Sequence, residues 1–164
     1  MANSIIVKRL GAEVIEEYTA TAVAIKPGYL LELASATTVQ AHSTAEGNAL
    51  PMFAIEDALQ GKAITADYVV STIIQCWIPR RGDQVYAYLA DGQTAAVGDF
   101  LESNGAGALQ VHVDETESWG AGPSVGAGEI TVPPNCIVGQ AMEAVDLSTS
   151  ANGSALGRIK VRII

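Results

Sequence analysis

A short pattern occurs twice in this chain, 70 residues apart: Gly28-Tyr-Leu-Leu31-Glu32 returns as Gly98-Asp-Phe-Leu101-Glu102. At the same spacing, Gln40-Ala-His42 returns as Gln110-Val-His112. Farther on, Ala54-Ile-Glu56 has a counterpart in Ala141-Met-Glu143, now 87 residues away, and the 17 extra residues fall around 114–128. A glycine turn, a strand, a second strand and then Ala-x-Glu, in the same order both times, is the mark of a duplicated β unit. A duplicated meander that closes on itself gives a barrel or a sandwich, because closure removes the open edges of a flat sheet.

The rest of the chain reads the same way. At the C-terminus Arg158, Lys160 and Arg162 alternate with Ile159, Val161 and Ile163, a period of two that puts one face in the core and one in water. Tyr68 to Ile78 is rich in Val, Ile, Thr and Trp and is stopped by Pro79. Val85 to Leu89 follows, and Asp91-Gly92 turns the chain back. Val97 to Leu101 and Leu109 to Val113 bracket Asn104-Gly-Ala-Gly107 as a hairpin, and Pro27-Gly28 opens the earlier unit. Only Gly11 to Tyr18 and Phe53 to Gln60 have the length and pattern for a short helix, the second ended by Gly61. The expected fold is therefore mainly β: a compact barrel-like body over 21–164 with one or two short helices, a flexible N-terminal arm over 1–20, and a long acidic, then glycine-rich, surface loop at 114–128.

A hydrophobic share of 49% supplies a core, and aromatics at 5% suit thin β layers. The net charge of −9 argues against nucleic acid, whose phosphates need clustered Lys and Arg. Five of the nine cations lie near the termini (Lys8, Arg9, Arg158, Lys160, Arg162), so residues 10–157 carry four cations against 18 acids, a charge of −14. Such basic ends either protect strand edges or dock on an acidic partner. No apolar run reaches the length of a membrane span, and no secretory leader opens the chain, so synthesis in a host cytoplasm is expected.

No residue pattern carries catalysis. Cys76 and Cys136 lie 60 residues apart without Cys or His at ligand spacing, which gives no recognisable zinc site and predicts buried free thiols, with a mutual disulfide as the alternative. His42 and His112 occupy equivalent places in the repeat; they could meet across a pseudo-twofold axis, but the favoured reading sets each near a strand end, facing water or a turn. Arg81-Gly82-Asp83 spells an integrin-type tripeptide and is read as a hairpin turn. Glu16-Glu17, Glu56-Asp57 and Glu115/Glu117 read as solvated faces rather than an acid/base couple. No metal and no cofactor is expected. Tyr86 and Tyr88 share one strand face, either a second packing layer or an exposed aromatic stripe. Trp119, in a glycine-rich loop, is an interface candidate, with local packing as the alternative.

The order of features from 22 to 164 resembles tailed-bacteriophage head decoration (capsid cement) proteins of the lambda-like head-stabilising type. The resembling residues are Ala24-Ile-Lys-Pro-Gly28-Tyr-Leu-Leu, Phe53-Ala-Ile-Glu-Asp57 with Gly61, Arg81-Gly-Asp-Gln-Val85, Val97-Gly-Asp-Phe-Leu101 with Gly105-Ala-Gly107, and Ile137-Val-Gly-Gln-Ala141-Met-Glu-Ala. What the resemblance implies is a β-barrel or "β-tulip" body that assembles as a homotrimer, or in some members a dimer, binds the major capsid protein on the capsid exterior and stabilises the expanded shell. Its arm would order by adding a strand, which here makes Ser4, Ile5, Ile6, Val7, Lys8 and Arg9 interface candidates. The alternatives are another β-rich virion component (tail-tube, fibre or spike module), a small β-barrel enzyme or ligand carrier, and a cellular adhesion module.

Overall fold

The computed structural model describes residues 4–12, 14–21, 25–113, 136–149 and 157–164. Its strands in chain order are β1 (Ile6–Lys8), β2 (Val14–Ala20), β3 (Leu31–Ser35), β4 (Thr38–Ala41), β5 (Phe53–Ala54), β6 (Ile73–Ile78), β7 (Gln84–Leu89), β8 (Thr94–Ala95), β9 (Phe100–Ser103), β10 (Leu109–Val111), β11 (Ile137–Ala141), β12 (Val145–Asp146) and β13 (Gly157–Ile163). The fold is mainly β, as expected from the alternation.

Strands β7, β10, β9, β11 and β13 form a closed five-stranded barrel, because β13 pairs with both β11 and β7, and β1 adds to it alongside β7. The first half of the chain repeats this wiring. Strands β3, β4, β2, β6 and β5 pair in that order, and the bridge Leu30↔Phe53 joins the β3 end to the β5 end. Even the unusual pairing recurs: β4 lies parallel to β2, as β10 lies parallel to β7, while the other ladders of both cycles are antiparallel.

The backbone hydrogen bonds keep the spacing of the sequence echo. The Gly28 N–H donates to the Ala54 carbonyl at 2.7 Å, and the Gly98 N–H to the Ala141 carbonyl at 2.9 Å. The His42 N–H donates to Leu30 at 3.0 Å, and the His112 N–H to Phe100 at 2.8 Å. Gly28 and Gly98 have φ of 98° and 100°, a region that L side chains avoid, which is why the turn before each repeated strand keeps glycine.

Alternation along the strands divides their side chains between two cores. Leu31, Val39, Ala54, Ile74 and Cys76 face one cluster with Ile25, Met52 and Tyr68. Their neighbours Leu30, Phe53 and Trp77 face the other, joining Val85, Leu89, Leu101, Leu109, Ile159 and Val161 of the second barrel. The first barrel's outer face is thus sealed against the second. Burial of large side chains such as Phe53 (0% exposed) and Trp77 (1%) stabilises by about 1.5–3 kcal/mol each, so neither half is independent of the other. The turn between β9 and β10 completes the seam. There the Leu30 N–H donates to the Gly107 carbonyl at 2.8 Å, and Ala45 bridges to Asn104.

Several expectations are corrected. Residues 14–18, expected within a helix, belong to β2, whose six-residue register against β6 supplies hydrogen bonds that an isolated two-turn helix could not match. Within Tyr68–Ile78 only Ile73–Ile78 is strand; Tyr68 bridges singly to Ile25, and Ser71 adopts φ 65° at an intervening turn. The expected helix over Phe53–Gln60 shrinks to a 3-10 turn at Ala58–Gln60, capped by the Asp57 carboxylate and ended by Gly61. From Ser4 onward the expected arm lies on the body: Ile5 is fully buried, and β1 pairs with β7 of its own chain.

Candidate interaction surface and two histidine clusters

Among the N-terminal interface candidates, Ile5 is committed to the core. Its N–H donates to a Glu56 carboxylate oxygen at 3.0 Å, and its carbonyl accepts from Tyr86 at 2.8 Å. Ser4, Ile6 and Val7 are half-buried, whereas Lys8 and Arg9 are exposed. Among the described residues strand β1 ends its sheet, so its outer edge is the place where a further strand would add. Trp119 and the 114–128 segment lie outside the described residues. Large exposed apolar side chains gather on the first half: Leu33 and Leu50 border a hollow also lined by Tyr18, Met52 and Ile78, and Leu59 and Ile73 border a second.

The duplication places a carboxylate, an amide and an imidazole together in each barrel. In the first, Glu32 on β3 faces Gln40 on β4, accepting its amide N–H at 2.7 Å, with the His42 Nε2 at 3.7 Å. Burial alone would push the Glu32 carboxyl up, but hydrogen bonds from Ser43 and Gln40 outweigh it and hold the pKa below the usual carboxylate range. His42 is 3% exposed, with Nδ1 on the Ser103 hydroxyl at 2.8 Å and Nε2 on the Asn48 carbonyl at 3.0 Å. It pins the seam between barrels, and it lies just past the end of β4 as expected but is buried rather than facing water.

In the second barrel Glu102 on β9 faces Gln110 on β10, with the amide at 3.0 Å, and is buried at 3% exposure. Here the imidazole comes closer. His112 Nδ1 lies 2.6 Å from Glu102 Oε2, and Cys136 Sγ lies 3.9 Å from the same nitrogen. This places an oxygen, a nitrogen and a sulfur donor within 4.8 Å of one another. The Cys136 thiol is pushed up by burial first, then by Glu102. Sequence spacing missed this trio because its members lie on or beside three different strands. The β11–β9 ladder, which pairs Ile137 with Glu102, is what delivers Cys136.

The remaining candidates have structural roles. Cys76 and Cys136 are both free and buried. Asp83 of Arg81-Gly82-Asp83 is buried, and its carboxylate accepts the N–H groups of Arg80 at 2.8 Å and Leu10 at 2.7 Å, as a turn requires. Tyr86 and Tyr88 form a packing layer. The Arg158 guanidinium lies 4.1 Å from the Tyr88 ring centroid and 5.7 Å from that of Tyr86, while Tyr29 packs edge-on against Tyr88 at 5.4 Å. Arg158 also donates to the Ile64 carbonyl at 2.6 Å, so this terminal cation is a tie inside the body. Of the acid pairs, Glu56 and Asp57 serve as backbone acceptors, and Glu16 accepts the Tyr18 hydroxyl.

No protein-family model matches the chain, and no curated protein matches it in sequence. Among solved structures it is similar to the N base of the head fiber gp8.5 of bacteriophage phi29. The TM-score is 0.54 and the identity 12%, over 93% of this chain and 95% of that one. At that identity the likeness is one of fold, and it extends across both barrels.

Proposed function

We propose that this chain is a non-enzymatic structural protein of a tailed-phage virion, carried on the outside of the head. The observation that carries the reading is the fold likeness, over nearly the whole of both chains, to a protein whose own description is a phage head fiber base. The order of turn glycines and strands noted in the sequence supports the same reading independently. Exposed apolar side chains on the first barrel, such as Leu33, Leu50, Leu59 and Ile73, suit a protein that works against a partner surface.

In the finer form of the proposal, copies assemble as trimers on the major capsid protein and bridge its subunits in the expanded shell. Many small contacts on a symmetric lattice would then add through avidity. Docking by the N-terminal segment would use the open edge of β1 with Lys8 and Arg9, and Ile5 stays in the core. A fibre-base role is the second reading, favoured by the printed description of the similar structure.

The test is co-sedimentation of the purified chain with expanded, undecorated heads, with its solution mass measured by light scattering. A trimer that pellets at a saturating ratio of many copies per head and raises the temperature of DNA release supports the bridging form. Saturation at a few copies without a gain in head stability supports the fibre form. Failure to pellet with heads removes both.

A further inference from the structure

The geometry points to a divalent-metal site of the zinc class, built by Glu102, His112 and Cys136 at the end of the second barrel. Three features carry it. First, the donors differ in kind and converge: carboxylate oxygen, imidazole Nδ1 and thiol sulfur lie within 4.8 Å of one another, on or beside three neighbouring strands. Bond lengths of about 2.0–2.2 Å to nitrogen and oxygen and about 2.3 Å to sulfur put tetrahedral nitrogen and oxygen ligands about 3.4 Å apart and a sulfur about 3.5–3.7 Å from either. The observed 2.6 Å between Oε2 and Nδ1 is shorter and the 3.9 Å between Nδ1 and Sγ longer than these separations, so the carboxylate and imidazole would move apart by roughly 0.8 Å and the thiol approach by about 0.3 Å.

Second, the ligands are held in place. Glu102 is buried, and its other carboxylate oxygen accepts the Gln110 amide at 3.0 Å, an outer partner of the kind that orients a metal carboxylate. Third, the molecule contains its own comparison. The first barrel repeats the Glu-Gln-His set as Glu32, Gln40 and His42, with the His42 ring held by Ser103 and by Asn48. The residue 87 positions before Cys136 is Ala49. A hydrogen-bonded Glu-Gln-His network therefore needs no thiol, and the second barrel adds one where it completes a mixed donor set.

A soft thiolate beside an imidazole and a carboxylate selects zinc over calcium or magnesium, which prefer oxygen donors alone. Binding releases the thiol proton to solvent and also displaces the proton of the Glu102–His112 hydrogen bond, which passes to Nε2 or to solvent, so that the Nδ1 lone pair, the carboxylate and the thiolate all face the metal. Three protein ligands leave a fourth position for water or another donor. The clip would tie β9, β10 and β11 together and hold both ends of the segment between His112 and Cys136. The inference does not depend on the virion reading.

The experiment is a cobalt(II) titration of the untagged full chain, followed by absorbance. Expected are a thiolate-to-cobalt charge-transfer band saturating at one metal per chain, displacement of that band by zinc(II), and its loss in Cys136→Ser and in His112→Ala. Loss of a direct ligand should weaken zinc binding beyond the roughly 10–100-fold typical of outer partners. Since a variant can lose the band by misfolding, alkylation of the unmodified chain is mapped with and without zinc. Selective protection of Cys136 supports the site. Absence of the band, its persistence in Cys136→Ser, or equal alkylation with and without zinc overturns it.

Discussion

The duplicated glycines allow backbone strain to be separated from steric fit inside one molecule. Gly28 and Gly98 share φ values of 98° and 100° and equivalent hydrogen bonds, so alanine at either carries the same backbone penalty, about 1–3 kcal/mol. Their surroundings differ. A Cβ on Gly28 would sit 2.5 Å from Arg158 Nη1, 3.0 Å from the Tyr86 carbonyl oxygen and 3.3 Å from Ile5 Cδ1. The guanidinium cannot simply swing aside, because Nη2 donates to the Ile64 carbonyl at 2.6 Å and to the Tyr88 hydroxyl at 3.1 Å. On Gly98 the nearest atom would be Gln140 Nε2 at 3.9 Å, an ordinary contact. Overpacking adds about 1–3 kcal/mol, so Gly28→Ala should cost about 2–6 kcal/mol in all and Gly98→Ala only the shared part. Urea unfolding followed by tryptophan fluorescence reads the difference. With a slope of roughly 1–3 kcal/mol per molar urea, the Gly28→Ala midpoint should fall below that of Gly98→Ala by about 1 M. Equal losses at the two positions would refute the reasoning, as would a larger loss at Gly98.

Three further outcomes are expected. Ser103→Ala leaves His42 Nδ1 buried without its 2.8 Å partner and should cost about 1–3 kcal/mol, seen as a lower urea midpoint; an unchanged midpoint would mean that His42 does not pin the seam. Arg158→Lys keeps the charge but loses the planar fork over Tyr86 and Tyr88 and should cost about 1–3 kcal/mol, against no loss if the cation serves only as a solvated charge. Alkaline pH should destabilise the fold. Burial pushes the Tyr68 hydroxyl up to about 12 from 10.0, and burial together with Glu16 pushes the Cys76 thiol up to about 12 from 9.0. The native state therefore keeps protons that the unfolded chain releases. That stability is fully present below pH 9 and is lost as pH rises from 9 towards 12, so urea midpoints that stay constant over this window would contradict it.

The sequence made the strands legible where one face alternates against a single core. Ile159, Val161 and Ile163 are buried with cations between them, and Val85, Ala87 and Leu89 are buried with Tyr86 and Tyr88 between them. It misled at Val14 to Tyr18, because β2 leaves Val14 and Ile15 exposed and its apolar pattern therefore does not report burial. The repeat predicted which residues are equivalent but not what each touches. His42 turns towards Ser103 of the other barrel, a contact across 61 residues that no local spacing encodes. Cys136 is invisible as a cluster member for the same reason, since it enters through the β11–β9 ladder and not through proximity to His112 in the chain.

The way each barrel closes also fixes when it can form during synthesis. In both cycles the first strand pairs with the last, β2 with β6 and β7 with β13. The first barrel is wired as soon as Ile78 has left the ribosome, but the second must wait for β13. Until then β7 and β11 each present an unpaired edge, and Phe53 and Trp77 of the finished first half lack the core they seal against. A nascent chain of this design passes through a long interval as half a molecule with a sticky flank. Slowed translation or premature termination before Gly157 would therefore produce aggregates rather than a smaller working protein.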